Sequence, residues 1–245
     1  MSKKLVVFGA TSAISQAYTH LVAGRFEVIT LVARNSELLE QVAQHTRVIS
    51  NAEVGTRVAD LADISTHVDL VREVCGSDTH SVLISYGDLT NQERCVEDRD
   101  YALTQFYLNG LSTISLAELA ARSLIRQGEA GVLGVVGSVA GDRGRRSNYH
   151  YGSAKSAVAS FLSGLRSEMH THGVGVVTIK PGFVDTPMTS EFKKGLLWAT
   201  PDTVASDIDR AMTKRRNVIY TPWFWRLIML VIRLIPEPIF KRLSF

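Results

Sequence analysis

Apolar residues in this chain gather into short blocks, and the blocks are separated by longer stretches with helical spacing. Lys4–Phe8 is an apolar run closed by Gly9; helical spacing follows from Ala13 to about Gly24, and a second apolar run covers Val28–Ala33. This is the opening of a βαβ unit. Further strands are predicted at Ser81–Tyr86, Gly131–Gly137 and Gly173–Ile179, with helices at Ile64–Cys75, Asp98–Arg126 and Asn148–His170. A third strand falls within Val54–Ala59, where polar neighbours blur its edges. Strands alternating with helices predict a parallel sheet covered on both faces, that is, a Rossmann-type doubly wound α/β fold. No internal repeat, low-complexity tract or Pro/Gly-rich linker divides the chain, so residues 1–216 read as one domain and 217–245 as a C-terminal tail.

Composition narrows the picture. At 245 residues and 45% hydrophobic, the chain can bury a full core, which excludes a small disulfide scaffold. Cys75 and Cys95 are too few for a disulfide framework and lack metal-ligand spacing, so no metal is expected and a reducing compartment is. The apolar run Leu5–Phe8 is too short for a secretory segment, and the expected location is the cytoplasm. The net charge of +3 is unevenly spread: residues 210–245 hold eight basic side chains against Glu237 alone, a net +7 that leaves −4 for residues 1–209. A mildly acidic body with one basic end does not predict nucleic-acid binding.

In a doubly wound sheet, ligands settle at the carboxyl ends of the strands, where the first βα turn aims backbone N–H groups at phosphate. Here that turn reads Gly9-Ala10-Thr11-Ser12-Ala13-Ile14-Ser15, with one of the three glycines usual in dinucleotide-binding turns. A plain strand-to-helix turn is the alternative. The second strand ends Leu31-Val32-Ala33-Arg34-Asn35, placing an arginine where NAD-selective folds place an acid. The guanidinium of Arg34 suits a ribose 2′-phosphate, with Thr11 and Ser12 as further hydroxyl donors, so NADPH/NADP+ is the expected cofactor; a solvated arginine is the alternative.

The fifth strand delivers Ser138 at its carboxyl end, and thirteen residues later comes Tyr151-Gly152-Ser153-Ala154-Lys155 in a helical stretch. Tyr151 and Lys155 are four apart and share a helix face. A phenol of pKa about 10 is a poor acid unless a neighbouring ammonium stabilises its anion, which Lys155 is placed to do. Ser138 is placed to hydrogen-bond a carbonyl and hold it where a hydride donor and a proton donor both reach it. In these residues the chain resembles the short-chain dehydrogenase/reductases, from the Gly9 turn through Pro181-Gly182-Phe183-Val184-Asp185-Thr186. The resemblance implies that Tyr151 is the general acid, that Lys155 lowers its pKa and binds the nicotinamide ribose, and that Ser138 polarises the carbonyl. It further implies that Asn109 holds a water in the proton relay, that Asp60 and Leu61 lie beside the adenine, and that Pro181, Gly182, Val184 and Thr186 line the nicotinamide. Asp60 is alternatively a cap for the following helix. Two departures bear on the cofactor: Ala13 and Ser15 stand where glycine is usual, and Ile84-Ser85-Tyr86-Gly87 replaces an Asn-Asn-Ala-Gly motif. A homo-oligomer is implied by the resemblance alone.

The chain is also similar to the decaprenylphosphoryl-2-keto-ribose reductases in Gly141–Asn148, Tyr86-Gly87-Asp88 and Tyr220-Thr221-Pro222-Trp223. That similarity implies reduction of a lipid-linked 2-keto pentose formed by a separate flavin oxidase. Other lipid ketones, of the 3-oxoacyl or long-chain-base type, remain open, as does a non-catalytic NADP-binding scaffold. Arg143, Arg145 and Arg146 are either ligands for a lipid phosphate or solvated charges. The tail residues Trp223–Ile235 form a helix too short to cross a bilayer, with Arg226 and Arg233 on one face opposite Leu227, Ile228, Leu230, Val231, Ile232 and Leu234. Its basic residues and aromatics suit the surface of an anionic membrane; a core or interface helix is the alternative.

Overall fold

In the computed structural model, which describes residues 3–125 and 131–243, the apolar runs lie side by side in one all-parallel sheet. Its first six strands are β1 (Lys4–Phe8), β2 (Val28–Ala33), β3 (Glu53–Val58), β4 (Thr79–Ile84), β5 (Val132–Val136) and β6 (Gly175–Pro181). Two short strands, β7 (Phe183–Val184) and β8 (Trp198–Ala199), pair with each other apart from it, and β9 (Val218–Thr221) completes the order β3-β2-β1-β4-β5-β6-β9. The order reverses at β1, flanked by β2 and β4, which opens a crevice at the carboxyl ends of these strands.

Side chains alternate across the sheet as the pleat requires. Leu5 and Val7 point to a layer built from α1 (Ala13–Val22), α2 (Ser36–Ile49) and α8 (Pro201–Thr213). Val6 and Phe8 point to the opposite layer, built from α3 (His67–Val74), α6 (Thr113–Ile125) and α7 (Tyr149–His170). Both faces are therefore core, and the strands read as continuous apolar runs for that reason.

The pattern reading assigns no element to 36–49, 201–213 or 218–221, where the structure has α2, α8 and β9. Two of its boundaries also change. β3 is an edge strand on which only Val54 is buried, which accounts for its polar sequence. The single helix expected over Asp98–Arg126 begins as α5 (Arg99–Phe106), preceded by α4 (Gln92–Glu97), loosens into a π-helical turn over Tyr107–Ser112, and resumes as α6; Arg126 lies outside the described residues.

The largest correction concerns the tail. A boundary at 216/217 is not where the fold divides, because β9 is a strand of the main sheet, registered against Thr178–Pro181 of β6. Beyond it, α9 (Trp225–Leu234) lays Trp225 and Met229 against Val139, with Ile228 and Ile232 partly buried beside them. The arginine-bearing face is thus not opposite one broad apolar surface. The apolar residues divide between an inward row and an outward row, the latter comprising Leu227, Leu230, Val231 and Leu234. Among the described residues no helix is long and apolar enough to cross a membrane.

Arg143 is committed to this helix rather than to solvent or a phosphate. One guanidinium nitrogen donates to the carbonyl oxygens of Ile232 and Ile235, both at 2.6 Å, the other bonds Glu237 at 2.8 Å, and the group stacks 3.5 Å from the ring of Phe240 in α10 (Glu237–Phe240). A cation on the last carbonyls satisfies the acceptors that a helix end leaves open and complements the helix dipole. The preceding residue, Asp142, accepts from Tyr220 at 2.7 Å and from Lys180, tying the loop after Ser138 to β6 and β9. Arg145 is half-buried and Arg146 exposed.

The indole of Trp225 lies directly on Gly182, where any Cβ would fall on its Nε1. Gly182→Ala is therefore expected to lower stability by about 1–3 kcal/mol through overpacking. Urea denaturation of the two proteins checks it, and an unchanged midpoint would show that α9 does not press on β6.

Candidate active site

The site is assembled from strand ends. β1 stops at Gly9, whose φ of +80° belongs to the left-handed region, and a Cβ there would strike the carbonyl of Ser85 at the end of β4. The turn can consequently pass close to β4 and enter α1 with the N–H groups of Ala13 and Ile14 at its first turn, where no intrahelical acceptor exists. Ser12 caps α1: its Oγ accepts from the Ser15 N–H at 3.1 Å and bonds the hydroxyls of Ser15 (2.9 Å) and Ser85 (3.2 Å). That corrects the expectation of Ser12 as a free hydroxyl donor, because its hydroxyl is already used. Ser15 is fully buried, filling the position where a third glycine would allow helix and strand to approach.

A cleft of ≈ 200 Å³ runs along this edge. Gly9, Thr11, Ser12, Arg34, Asp60, Leu61, Ser85, Tyr86 and Gly87 all line it. Arg34 stands exposed on its wall. Asp60 accepts from the Ala62 N–H at 3.0 Å in the loop that turns into the next element, and the capping role falls to Asp63, which accepts from Ser65. Tyr86 buries its ring and bonds the Ser112 hydroxyl at 2.6 Å, while Ser112 in turn donates to the Leu61 carbonyl. This relay fixes the loop at Leu61 against the π-helical turn. Ala33, Ala59, Ala62, Asp88, Leu108 and Met188 also line the cleft; the five apolar ones carry no chemical signature in the sequence, and Asp88 enters it only within the Tyr86-Gly87-Asp88 segment.

At the other end of the edge, β5 carries the chain to Ser138, whose Oγ accepts from the Ala140 N–H at 3.1 Å. α7 brings Tyr151 and Lys155 to the same place on successive turns, with the Lys155 Nζ 5.6 Å from the Tyr151 ring centre. The π-helical turn brings Asn109. Its carboxamide holds the loop after β4, accepting from the Asp88 N–H and donating to the Asp88 carbonyl, both at 3.1 Å. A Cβ on Gly87 would fall on Asn109 Oδ1 and come within 3.5 Å of the Lys155 ammonium, so cleft, amide and ammonium adjoin. Pro181 ends β6 and Gly182, Val184 and Thr186 follow it at the same edge, but none of the four is on the cleft wall; from that segment Met188 reaches it.

Burial governs the titration of both helix residues. Desolvation pushes Tyr151 up to about 12, against a hydrogen bond with Ser138 that pulls it down. Desolvation alone lowers Lys155 to about 8. The net shift of the phenol is therefore upward, opposite to the acidification expected from the ammonium, because the loss of water around a phenolate is the largest contribution. At neutral pH the site holds a protonated phenol beside a lysine that is still mostly charged. That pair can donate a proton to a strongly basic oxygen.

Comparison with known proteins gives a consistent picture. The family model described as short chain dehydrogenase matches residues 3–196. An uncharacterized oxidoreductase of Mycobacterium tuberculosis is 34% identical over 163 residues, covering 66% of this chain and 65% of the relative's length. Among solved structures, a short-chain dehydrogenase from Sphingobium yanoikuyae in complex with NADPH superposes with a TM-score of 0.80 at 21% identity, covering 97% of each chain. A short chain dehydrogenase from Mycobacterium paratuberculosis bound to NAD gives 0.78 at 16% identity, covering 89% of this chain and 95% of that one.

The lowered pKa of Lys155 is also a stability statement. Between about pH 8 and its unfolded value of about 10.4, the unfolded chain binds the proton that the folded chain has released, so stability rises with pH across that window. Below pH 8 the buried charge is a net cost on the order of 1–3 kcal/mol. Lys155→Met is expected to raise the melting temperature at pH 7 while leaving it nearly unchanged at pH 10.5; equal shifts at both pH values would contradict the assignment.

Proposed function

Since the chain belongs to the short-chain dehydrogenase/reductase family, we propose that it is an NADPH-dependent oxidoreductase that reduces a ketone to a secondary alcohol. The observation that carries this reading is the meeting of Ser138, Tyr151, Lys155 and Asn109 at the carboxyl edge of the sheet, beside a cleft that ends at Gly87.

The residues present fit a nicotinamide dinucleotide. Only glycine at position 9 lets the turn lie this close to Ser85, and the N–H groups of Ala13 and Ile14 at the start of α1 are available to phosphate. Asp60 and Leu61 would lie beside the adenine, with Ser85, Tyr86 and Gly87 between it and Lys155 at the nicotinamide ribose. Arg34 on the cleft wall, with no acid at the end of β2, favours a ribose 2′-phosphate and hence NADPH over NADH. When bound, the reduced cofactor supplies the hydride.

The chain supplies the rest. The Ser138 hydroxyl donates to the ketone oxygen and holds it toward Tyr151. As negative charge grows on that oxygen, it becomes more basic than a phenolate, and Tyr151 gives up its proton to it. The high pKa of Tyr151 suits this direction, because the phenol stays protonated until the alkoxide forms. Lys155 stabilises the phenolate left behind, and Asn109 keeps the Asp88 loop in place next to the ammonium and holds a water for reprotonation.

For the substrate we favour the 2-keto group of a polyprenylphosphoryl pentose, the second step in an epimerisation of ribose to arabinose begun by a flavin oxidase. The support is the likeness of the Gly141–Asn148 and Tyr220–Trp223 segments, together with the apolar outer face of α9. The protein would then work at the cytoplasmic face of the membrane. NADPH consumption by the purified protein against a panel holding that keto sugar, a 3-oxoacyl thioester and a long-chain-base ketone separates the candidates.

Three outcomes are expected. Tyr151→Phe lowers kcat by about 10²–10⁴-fold with cofactor binding retained, and an unchanged kcat would instead fit a non-catalytic scaffold. Arg34→Asp narrows or reverses a preference for NADPH, whereas equal use of both cofactors by the unaltered protein would remove Arg34 from the site. Because the Lys155 ammonium loses its proton above about pH 8, kcat/KM for reduction should fall as pH rises through that value; a flat profile from pH 7 to 10 would exclude Lys155 from the proton transfer.

A further inference from the structure

The outer surface of α9 is unusual for a helix whose other side is already core. Leu227, Leu230, Val231 and Leu234 are 53–72% exposed, and Trp223 just before the helix is 71% exposed. The patch continues across an aromatic cluster. Phe183 stacks on Trp198 (5.3 Å) and meets the edge of Trp225 (5.4 Å), and the loop between β7 and β8 presents Phe192, Leu196 and Leu197 to the outside. The same loop reaches the cleft wall through Met188. An apolar rim of ring contacts, running in turn through Trp198, Phe183, Trp225, Phe224 and Trp223, therefore links the loop that reaches the cleft wall to the start of α9.

We propose that this rim is a docking surface for an anionic lipid bilayer, and that it sets the cleft mouth against the lipid. The orientation rests on the reductase reading above; the surface does not.

Charge selects the occupant. Arg226 and Arg233, seven residues apart, lie on one flank of α9, and Lys241 and Arg242 follow α10, all four exposed and none in a salt bridge with another described residue. The one carboxylate of this segment, Glu237, is taken by Arg143. Headgroups carrying negative charge answer that pattern, and an exposed tryptophan at the helix start sits at the same depth as headgroups. A second copy of the chain would bring the same unpaired cations face to face. Ten residues of α9 are about 15 Å long, so the helix lies on the surface rather than passing through it.

Deleting residues 223–245 cannot test this, because it would also strip Trp225 and Met229 from Val139. The test is sedimentation of the full chain with vesicles of phosphatidylcholine alone or mixed with phosphatidylglycerol. It compares the native sequence with Leu230→Glu/Leu234→Glu, and with Val48→Glu on exposed α2 as a control. The native chain and the control are expected to pellet with the anionic vesicles and to be released by high salt. The double variant should bind at least about tenfold more weakly, with unchanged melting temperature and unchanged reduction of a small water-soluble ketone. A native chain that stays in the supernatant, or a double variant that pellets equally well, overturns the proposal. A dimer in size exclusion that only the double variant dissociates overturns it too, assigning the face to a second copy. If neither protein reduces any ketone, the reductase reading and the orientation fall, while the vesicle result stands or fails by itself.

Discussion

The ammonium of Lys155 is held almost entirely out of water, 3% exposed, and desolvation brings its pKa down to about 8. Much of the surrounding architecture can be read as what keeps that group in place. α7 carries it on a long helix whose inner row, Val158, Leu162, Leu165 and Met169, packs into the core at helical spacing and anchors the turn that bears Tyr151 and Lys155. Burial of side chains of this size contributes about 1.5–3 kcal/mol each, so one row outweighs a buried charge of this kind. Small residues bring the backbone in close: Gly152 faces the Ala140 carbonyl, and Ala154 faces Gly110 in the π-helical turn.

The same dryness bears on what the phenol can do: raised to about 12, it stays protonated at neutral pH and can act as an acid toward an alkoxide. Ser138 and Tyr151 are joined by a hydrogen bond whose pull is downward. Electrostatic help for the phenolate is strongest after water has been excluded by a bound ligand, since the attraction between charges grows as the local dielectric falls.

How much of this was legible depended on whether a residue's type or its neighbours carried the information. β1, β2, β4, β5 and β6 are buried on both faces and announce themselves as apolar runs; β3 is an edge with a polar sequence, and β9 is an edge strand of only four residues, too short to stand out from the segment assigned to a tail. Ser138, Tyr151 and Lys155 were legible because strand end and helix spacing bring them together locally, and Gly9 because a backbone turn demands it. Ser12 was misread because its hydroxyl has partners, Ser15 and Ser85, one of which lies 73 residues away. The direction of the Tyr151 shift was missed for a related reason: charge is written in the sequence, whereas desolvation is a property of the packed fold.

Arg143 shows why the basic end of the chain resists a single explanation. It sits five residues after Ser138, and its guanidinium closes the carbonyl end of α9 while Asp142 holds Lys180 and Tyr220. Two adjacent residues of the loop that follows β5 are thus spent on the C-terminal segment, and Val139 between them and Ser138 is covered by Trp225 and Met229. The helix is part of the wall behind Ser138 as well as an outer surface. An inward row of apolar side chains explains its attachment to the fold, but it places no demand on the outward row, which in a helix of the same length could be polar without loss to the core. The outward leucines, and the arginines that form no salt bridge among the described residues, are what the proposed contact with an anionic bilayer accounts for together.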